Sequence, residues 1–231
     1  MKLMIQFATR GRKERFMRCF QLYVSTLGGN NEVFFNINCD NDDKMMNNEE
    51  TKAEILSIYP HCYVNFDDNK NKIEAINANI DVREFNILLN ASDDMNPQIH
   101  GWDDRIRQDF EQFFPDYDGV VHYNDGLQGA ALNTLSIMGK PFYERFGYVY
   151  HPDYKSLWAD VEFTSESKRL NRVVYVNEMI IKHDHPSIAD SINHNKIDKT
   201  FEDSEAPHDR DMQVFHIRQQ QGFPKEKITN D

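Results

Sequence analysis

Phe85-Asn86-Ile87-Leu88-Leu89-Asn90-Ala91-Ser92-Asp93-Asp94 carries an apolar run that ends in two adjacent carboxylates. Ile87-Leu88-Leu89, bounded by polar residues, has the character of a strand buried on both faces. Three earlier stretches share this design: residues 3–8, 33–38 and 62–66 each read as a short apolar strand. Between the strands, residues 12–27, 49–59 and 71–80 have helical spacing. Phe16, Phe20, Tyr23 and Leu27 fall on one face of the first helix, which Gly28-Gly29 ends, and Pro60 stops the second. Strands alternating with helices build a mostly parallel central sheet with helices on both faces, an α/β fold with a Rossmann-like first half.

The chain beyond Asp94 is less regular. Residues 98–113 and 209–221 read as helices, the second stopped by Gly222 and Pro224. Residues 119–123, 172–176 and 179–182 read as strands, and 187–206 as a polar, irregular excursion. Trp158-Ala159-Asp160-Val161-Glu162-Phe163 alternates apolar with acidic residues, so it reads as a strand or extended turn with Asp160 and Glu162 on one side. No Pro/Gly/Ser-rich linker divides the 231 residues, which predicts one domain over 1–186 and a C-terminal extension over 187–231.

Composition narrows the function. Charged residues make up 28% of the chain, its net charge is -12, and its mean hydropathy is -0.72. A surface this acidic argues against nucleic acid or an anionic membrane as the main partner, since both are bound through basic surfaces. It does not oppose a nucleotide, because a metal ion can bridge carboxylates and phosphates. No apolar run approaches a membrane-spanning length, and Met1 to Ala8 is too short for a signal peptide, so a cytoplasmic, soluble protein is expected. Cys19, Cys39 and Cys62 have no metal-like spacing and fit thiols in a reducing compartment.

Open parallel sheets bind ligands at the carboxyl ends of their strands. Thr9-Arg10 follows the first strand, Asp40-Asn41-Asp42-Asp43 the second and Ser92-Asp93-Asp94 the fourth, so the three clusters are expected on one rim. An isolated Asp-Asp pair is more often a turn or cap. At a rim it suits a divalent cation, Mg²⁺ or Mn²⁺, whose shell substrate phosphates complete. His183 and His185 can add an imidazole, which favours Mn²⁺. Lys72 stands near the start of the third helix. Asn77 falls on its buried face, where an amide needs a partner: a ligand, or neighbouring backbone. An acidic residue among aromatics, as Asp160 and Glu162 are, can act as a general base, although a solvated acidic face gives the same pattern.

Taken in order, Phe7-Ala8-Thr9-Arg10-Gly11-Arg12, Asp40 to Asp43, Lys72 to Asn77, Ala91-Ser92-Asp93-Asp94-Met95, Asp160-Val161-Glu162 and His183-Asp184-His185 resemble the GT-A glycosyltransferases, in particular the family 2-like group. The resemblance extends from Lys2 to about Pro186. It implies a nucleotide-sugar-binding half over 1–97 and an acceptor and catalytic half over 98–186. It assigns Thr9, Arg10, Asp40, Lys72, Asn77 and Asp93 to the nucleotide, and Asp94 with His183 or His185 to Mn²⁺ or Mg²⁺. It makes Asp160 the base, with Glu162 in reserve, although the Glu and Arg that the family often has before its catalytic Asp and its helix Asn are here Ala159 and Ile76.

That resemblance implies transfer, with inversion, of a sugar from a nucleoside-diphosphate sugar to a hydroxyl of a glycan, lipid or other acceptor. A metal-dependent nucleotidyltransferase is a rival reading, but Thr9-Arg10-Gly11-Arg12-Lys13 has one glycine where such enzymes have a glycine-rich loop. A non-catalytic sugar- or nucleotide-binding scaffold is another. The extension over 187–231 is expected to close over the donor or to pack against a second copy of the chain.

Overall fold

The computed structural model describes residues 1–223. Pro224 lies outside them. Seven strands form one sheet: β1 (Lys2–Ala8), β2 (Glu32–Asp40), β3 (Cys62–Asp67), β4 (Ile87–Ala91), β6 (Val120–Tyr123), β7 (Ile137–Gly139) and β8 (Val173–Val176), in the order β3-β2-β1-β4-β7-β6-β8. β1 pairs in parallel with β2 and β4, β2 with β3, and β6 with β8. Among the described strands of this sheet, only β7 runs against its neighbours, β4 and β6. The carboxyl ends of β1, β2, β4, β6 and β8 therefore share one rim. β5 (Met95–Pro97) and β9 (Ile181–His183) form a separate antiparallel pair at that rim.

Strand alternation gives the sheet two apolar faces. Leu3, Ile5 and Phe7 point to one face, where they meet Phe16, Phe20 and Tyr23 of α1 (Lys13–Ser25) and Ile106 and Phe110 of α4 (Trp102–Phe113). Ile55 of α2 (Glu49–Ile58) joins this side. Met4 and Leu88 point to the other face. They pack there with Ile73 and Ile76 of α3 (Lys72–Asn77), Phe142 of α5 (Lys140–Phe146), Phe163 of α6 (Ala159–Arg169) and Phe215 of α8 (His208–Gln220). Phe142, Tyr143 and Tyr150 are buried and belong to this core.

Three expectations are corrected. The third helix is shorter than 71–80. Ala78 is extended, Asn79 has φ 60°, and the Gln6 amide of β1 donates to the carbonyls of Ile76 (2.7 Å) and Ala78 (2.9 Å) in place of a further turn. Trp158 to Phe163 is the start of helix α6, not a strand. Its buried residues Ala159, Glu162, Phe163 and Glu166 recur at helical spacing, and Glu162 looked solvated only because its partners lie far off in sequence. The stretch 187–206 contains α7 (Lys199–Glu205), whose N-cap Asp198 accepts from Phe201 N–H at 2.8 Å.

Gln6 anchors the end of α3, so Gln6→Leu leaves two carbonyls without their donor. This variant is expected to lose about 2 kcal/mol of stability in urea unfolding. An unchanged midpoint would show that other contacts hold α3.

Candidate active site

The rim is assembled from loop starts that the sheet holds in place. Thr9 and Arg10 leave β1, and Asp40 ends β2. Arg10 is paired with Asp40 at 2.5 Å and with Asp42 at 2.6 Å, while Asn69 donates to the second Asp40 oxygen at 3.0 Å. The Thr9 hydroxyl is buried and has no hydrogen-bond partner among the described residues.

Asp93 and Asp94 follow β4. Arg12 and Arg15, at the start of α1, lie 3.3 and 3.2 Å from Asp93, and Arg15 lies 3.2 Å from Asp94. Ser92 donates to Asp94. Burial and the neighbouring Asp94 push Asp93 up to about 6. Burial acts the same way on Asp94, but His183, Ser92 and Arg15 outweigh it and hold that carboxyl well below the ordinary range.

The β5/β9 ladder sets Met95 opposite His183, and Asp184 N–H donates to Asp94 O at 2.7 Å. His183 Nε2 comes to 3.8 Å from Asp94 Oδ2. The two histidines thus separate. The His183 ring faces Asp94, whereas the His185 ring bonds to Ser187 (2.7 Å) and packs on Phe201. His183 Nδ1 is buried without a hydrogen-bond partner among the described residues. No group of three or more His, Cys, Asp or Glu among the described residues converges as a metal cage. Asp94 with His183 is therefore a two-ligand edge, which fits a cation that takes its remaining oxygens from phosphate and water.

Asp160 lies in the first turn of α6. It accepts from Val161 N–H at 2.9 Å and has no ion pair among the described residues. Burial raises its pKa, opposed by the charges of Lys72 and His183. The charge of Lys72 also acts on Asp93 and His185, so the first residue of α3 stands beside the rim carboxylates.

Two candidates do not join this group. Two positions along a helix differ by about 200° in direction, so Glu162 points away from Asp160. It accepts from Arg218 at 2.8 Å through both oxygens and from Tyr154 at 2.7 Å. The Asn77 amide donates to Tyr150 O at 2.6 Å and accepts from Val149 and Tyr150 N–H at 2.9 and 3.2 Å. Its partner is backbone, and its role is to hold the chain before α6. Conversely, Arg12, Arg15 and Asp198 belong to the rim unforeseen. Arg12 pairs with Asp198 at 2.5 Å as well as with Asp93, and Thr200 donates to Arg10 O at 3.2 Å, so the C-terminal section crosses the rim. The spacing of Arg12 and Arg15, three apart at a helix start, was the available signal.

No protein-family profile and no curated protein matches the chain by sequence. Among solved structures, the mannosyltransferase PcManGT from Pyrobaculum calidifontis, in complex with GDP-Man and Mn²⁺, aligns with a TM-score of 0.67 at 9% identity. The alignment covers 97% of this chain and 65% of that one. S. aureus TarS 1–349 in complex with UDP-GlcNAc aligns with a TM-score of 0.59 at 11% identity, over 79% of this chain and 58% of that one. The chain thus spans less than two thirds of either. Its fold is that of the GT-A-type glycosyltransferases, α/β with a mostly parallel seven-stranded sheet. No helix of the described residues is long and apolar enough to cross a membrane.

Asp160 and Glu162, the two acidic residues in the first turn of α6, are expected to differ in stability experiments. A raised folded-state pKa gives Asp160 a contribution that is present below the ordinary carboxylate pKa and lost as pH rises through the folded value. Its charge therefore opposes folding at neutral pH, and Asp160→Asn is expected to raise the melting temperature at pH 7.5. Glu162→Ala takes from Arg218, only 11% exposed, its two bonds to a buried carboxylate and leaves it the exposed Asp153, and is expected to cost about 3 kcal/mol. Equal effects of the two changes would contradict this division of roles.

Proposed function

We propose that the chain is a metal-dependent glycosyltransferase that moves a sugar from a nucleoside-diphosphate sugar to an acceptor hydroxyl with inversion. The observation that carries this reading is the Asp94–His183 edge, 3.8 Å across, on a rim that also holds Asp160, without an ion pair among the described residues, and the charge of Lys72. GDP-Man and Mn²⁺ in one structural neighbour and UDP-GlcNAc in another favour a nucleotide-sugar donor. Residues 1–97 bind the donor, 98–186 carry the acceptor side, and 187–231 form the extension.

Thr9, Arg10 and Asp40 contact the nucleotide, Asp93 orients the ribose, and Lys72 faces the diphosphate. Mn²⁺ or Mg²⁺ held by Asp94 and His183 would supply Lewis-acid neutralisation of charge on the leaving diphosphate. Asp160 accepts the proton of the acceptor hydroxyl. The acceptor oxygen then bonds to the anomeric carbon as the bond to the diphosphate oxygen breaks on the opposite face. The nucleoside diphosphate leaves with that electron pair. Burial of Asp160 strengthens it as a base, because a carboxylate short of water holds a proton more readily.

A thermal-shift screen of UDP, GDP and their sugar conjugates, with Mn²⁺, Mg²⁺ or EDTA, tests the donor site. The expected result is a metal-dependent rise in melting temperature with one nucleotide, lost in Asp94→Ala. No shift with any nucleotide would remove the donor reading and leave a scaffold of the same fold.

The base is tested with the donor so identified. Asp160→Asn is expected to keep the shift but lose about 100- to 10,000-fold in donor turnover. The wild-type rate should fall on acidification through a pKa above the ordinary aspartate value. Wild-type turnover in Asp160→Asn would remove Asp160 from the chemistry.

A further inference from the structure

We infer that Asp125 is a positioning residue that fixes the tautomer and orientation of His183, so that Nε2 presents its lone pair toward Asp94. The inference rests on the metal reading proposed above. Asp125 follows β6 on the same rim and is 2% exposed. One carboxylate oxygen, Oδ1, accepts from Leu127, Gln128 and Gly129 N–H at 2.9, 2.8 and 3.1 Å. The other, Oδ2, accepts from the Thr134 hydroxyl and lies 3.9 Å from His183 Nδ1. His183 N–H donates to Asp125 O at 2.8 Å, which ties the two residues by backbone as well.

His183 Nδ1 is buried without a hydrogen-bond partner among the described residues, and Asp125 Oδ2 accepts from a side chain, leaving a lone pair for a second donor. The gap exceeds a hydrogen bond by under about 1 Å, a distance that a change in one imidazole torsion covers. A neutral imidazole carries one proton. With Nδ1–H directed to Asp125, the lone pair is on Nε2, the atom that faces Asp94. Histidines that hold metal ions commonly have their second nitrogen fixed by a carboxylate in this way, and loss of that partner typically weakens metal binding about 10- to 100-fold.

Asp125→Asn isolates the effect. The asparagine keeps a carbonyl oxygen for the three backbone N–H groups and puts an amide donor where Oδ2 stood. That donor pairs with an Nδ1 lone pair and leaves the proton on Nε2, the wrong tautomer for a cation. Mn²⁺ binding is read from the electron paramagnetic resonance of free Mn²⁺, with the metal alone and with UDP or GDP added. In Asp125→Asn the affinity is expected to fall about 10- to 100-fold at a melting temperature close to wild type. Thr134→Val removes a neighbour of the same oxygen but leaves the acceptor, and is expected to bind Mn²⁺ as wild type does. Unchanged affinity in Asp125→Asn, or an equal loss in Thr134→Val, would overturn the inference alone. Absence of Mn²⁺ binding by the wild-type chain in every condition would overturn the metal reading and the inference together.

Discussion

The site depends on the short ladder between β5 and β9. It joins the stretch after the acidic pair to the late histidine, and Asn96 within it bonds to Asp184, which lies just past β9 and 88 residues further along the chain. Closing a free loop of that length would cost about 4 kcal/mol of chain entropy, more than so short a ladder returns. The ladder can persist because β6, β7 and β8 already hold the intervening chain against β4. The Asn96 amide donates to buried Asp184 at 2.7 Å, and the Cys19 thiol of α1 reaches Met95 O. These contacts fix the loop that carries Asp94 from both sides.

A second constraint lies on the far face of the sheet, where polar residues occupy positions an apolar core would otherwise fill. Gln6, Asn36 and Asn38 are fully buried, and Asn65 and Asn79 join them through side-chain amides. Every bond in this group serves shape: Gln6 ends α3, Asn36 holds Asn79 O, and Asn79 reaches Asp67. A satisfied polar network of this kind specifies one arrangement, because any shift would strand buried donors. What it specifies is where α3 ends; its start, and so the place of Lys72, is set by the N-cap Asn71, whose side chain accepts from Glu74 N–H at 3.0 Å.

Much of this was legible from residue order. The apolar runs ending in Thr9-Arg10, Asp40 and Asp93-Asp94 located the rim, because strand period and turn chemistry agree there. Asp160 was singled out by its aromatic surroundings and by likeness of motif. What escaped depends on long-range partners. Asn77 looked like a site residue because a buried amide must be satisfied, and Glu162 because it is acidic and stands among aromatics; sequence does not name the partners, which are the backbone at 149–150 and Arg218. Helix α6 was hidden for the same reason. Asp125 was within reach, since a carboxylate just past a strand of the same sheet meets the rule that located the others. The role of Arg12 was not, because it rests on a contact with Asp198, 186 positions away.

That contact has a thermodynamic consequence. Arg12 is held by Asp93 on the rim and by Asp198 on the C-terminal section at the same time. A ligand that engages Asp93 or draws Arg12 toward its own negative charge changes the hold on Asp198, and through it the ordering of the section that crosses the rim. Linkage makes the effect reciprocal: whatever steadies that section alters affinity at the rim by the same factor. The section around Asp198 and the rim are thus parts of one equilibrium, coupled through the Arg12 guanidinium as well as through the Thr200 bond to Arg10 O.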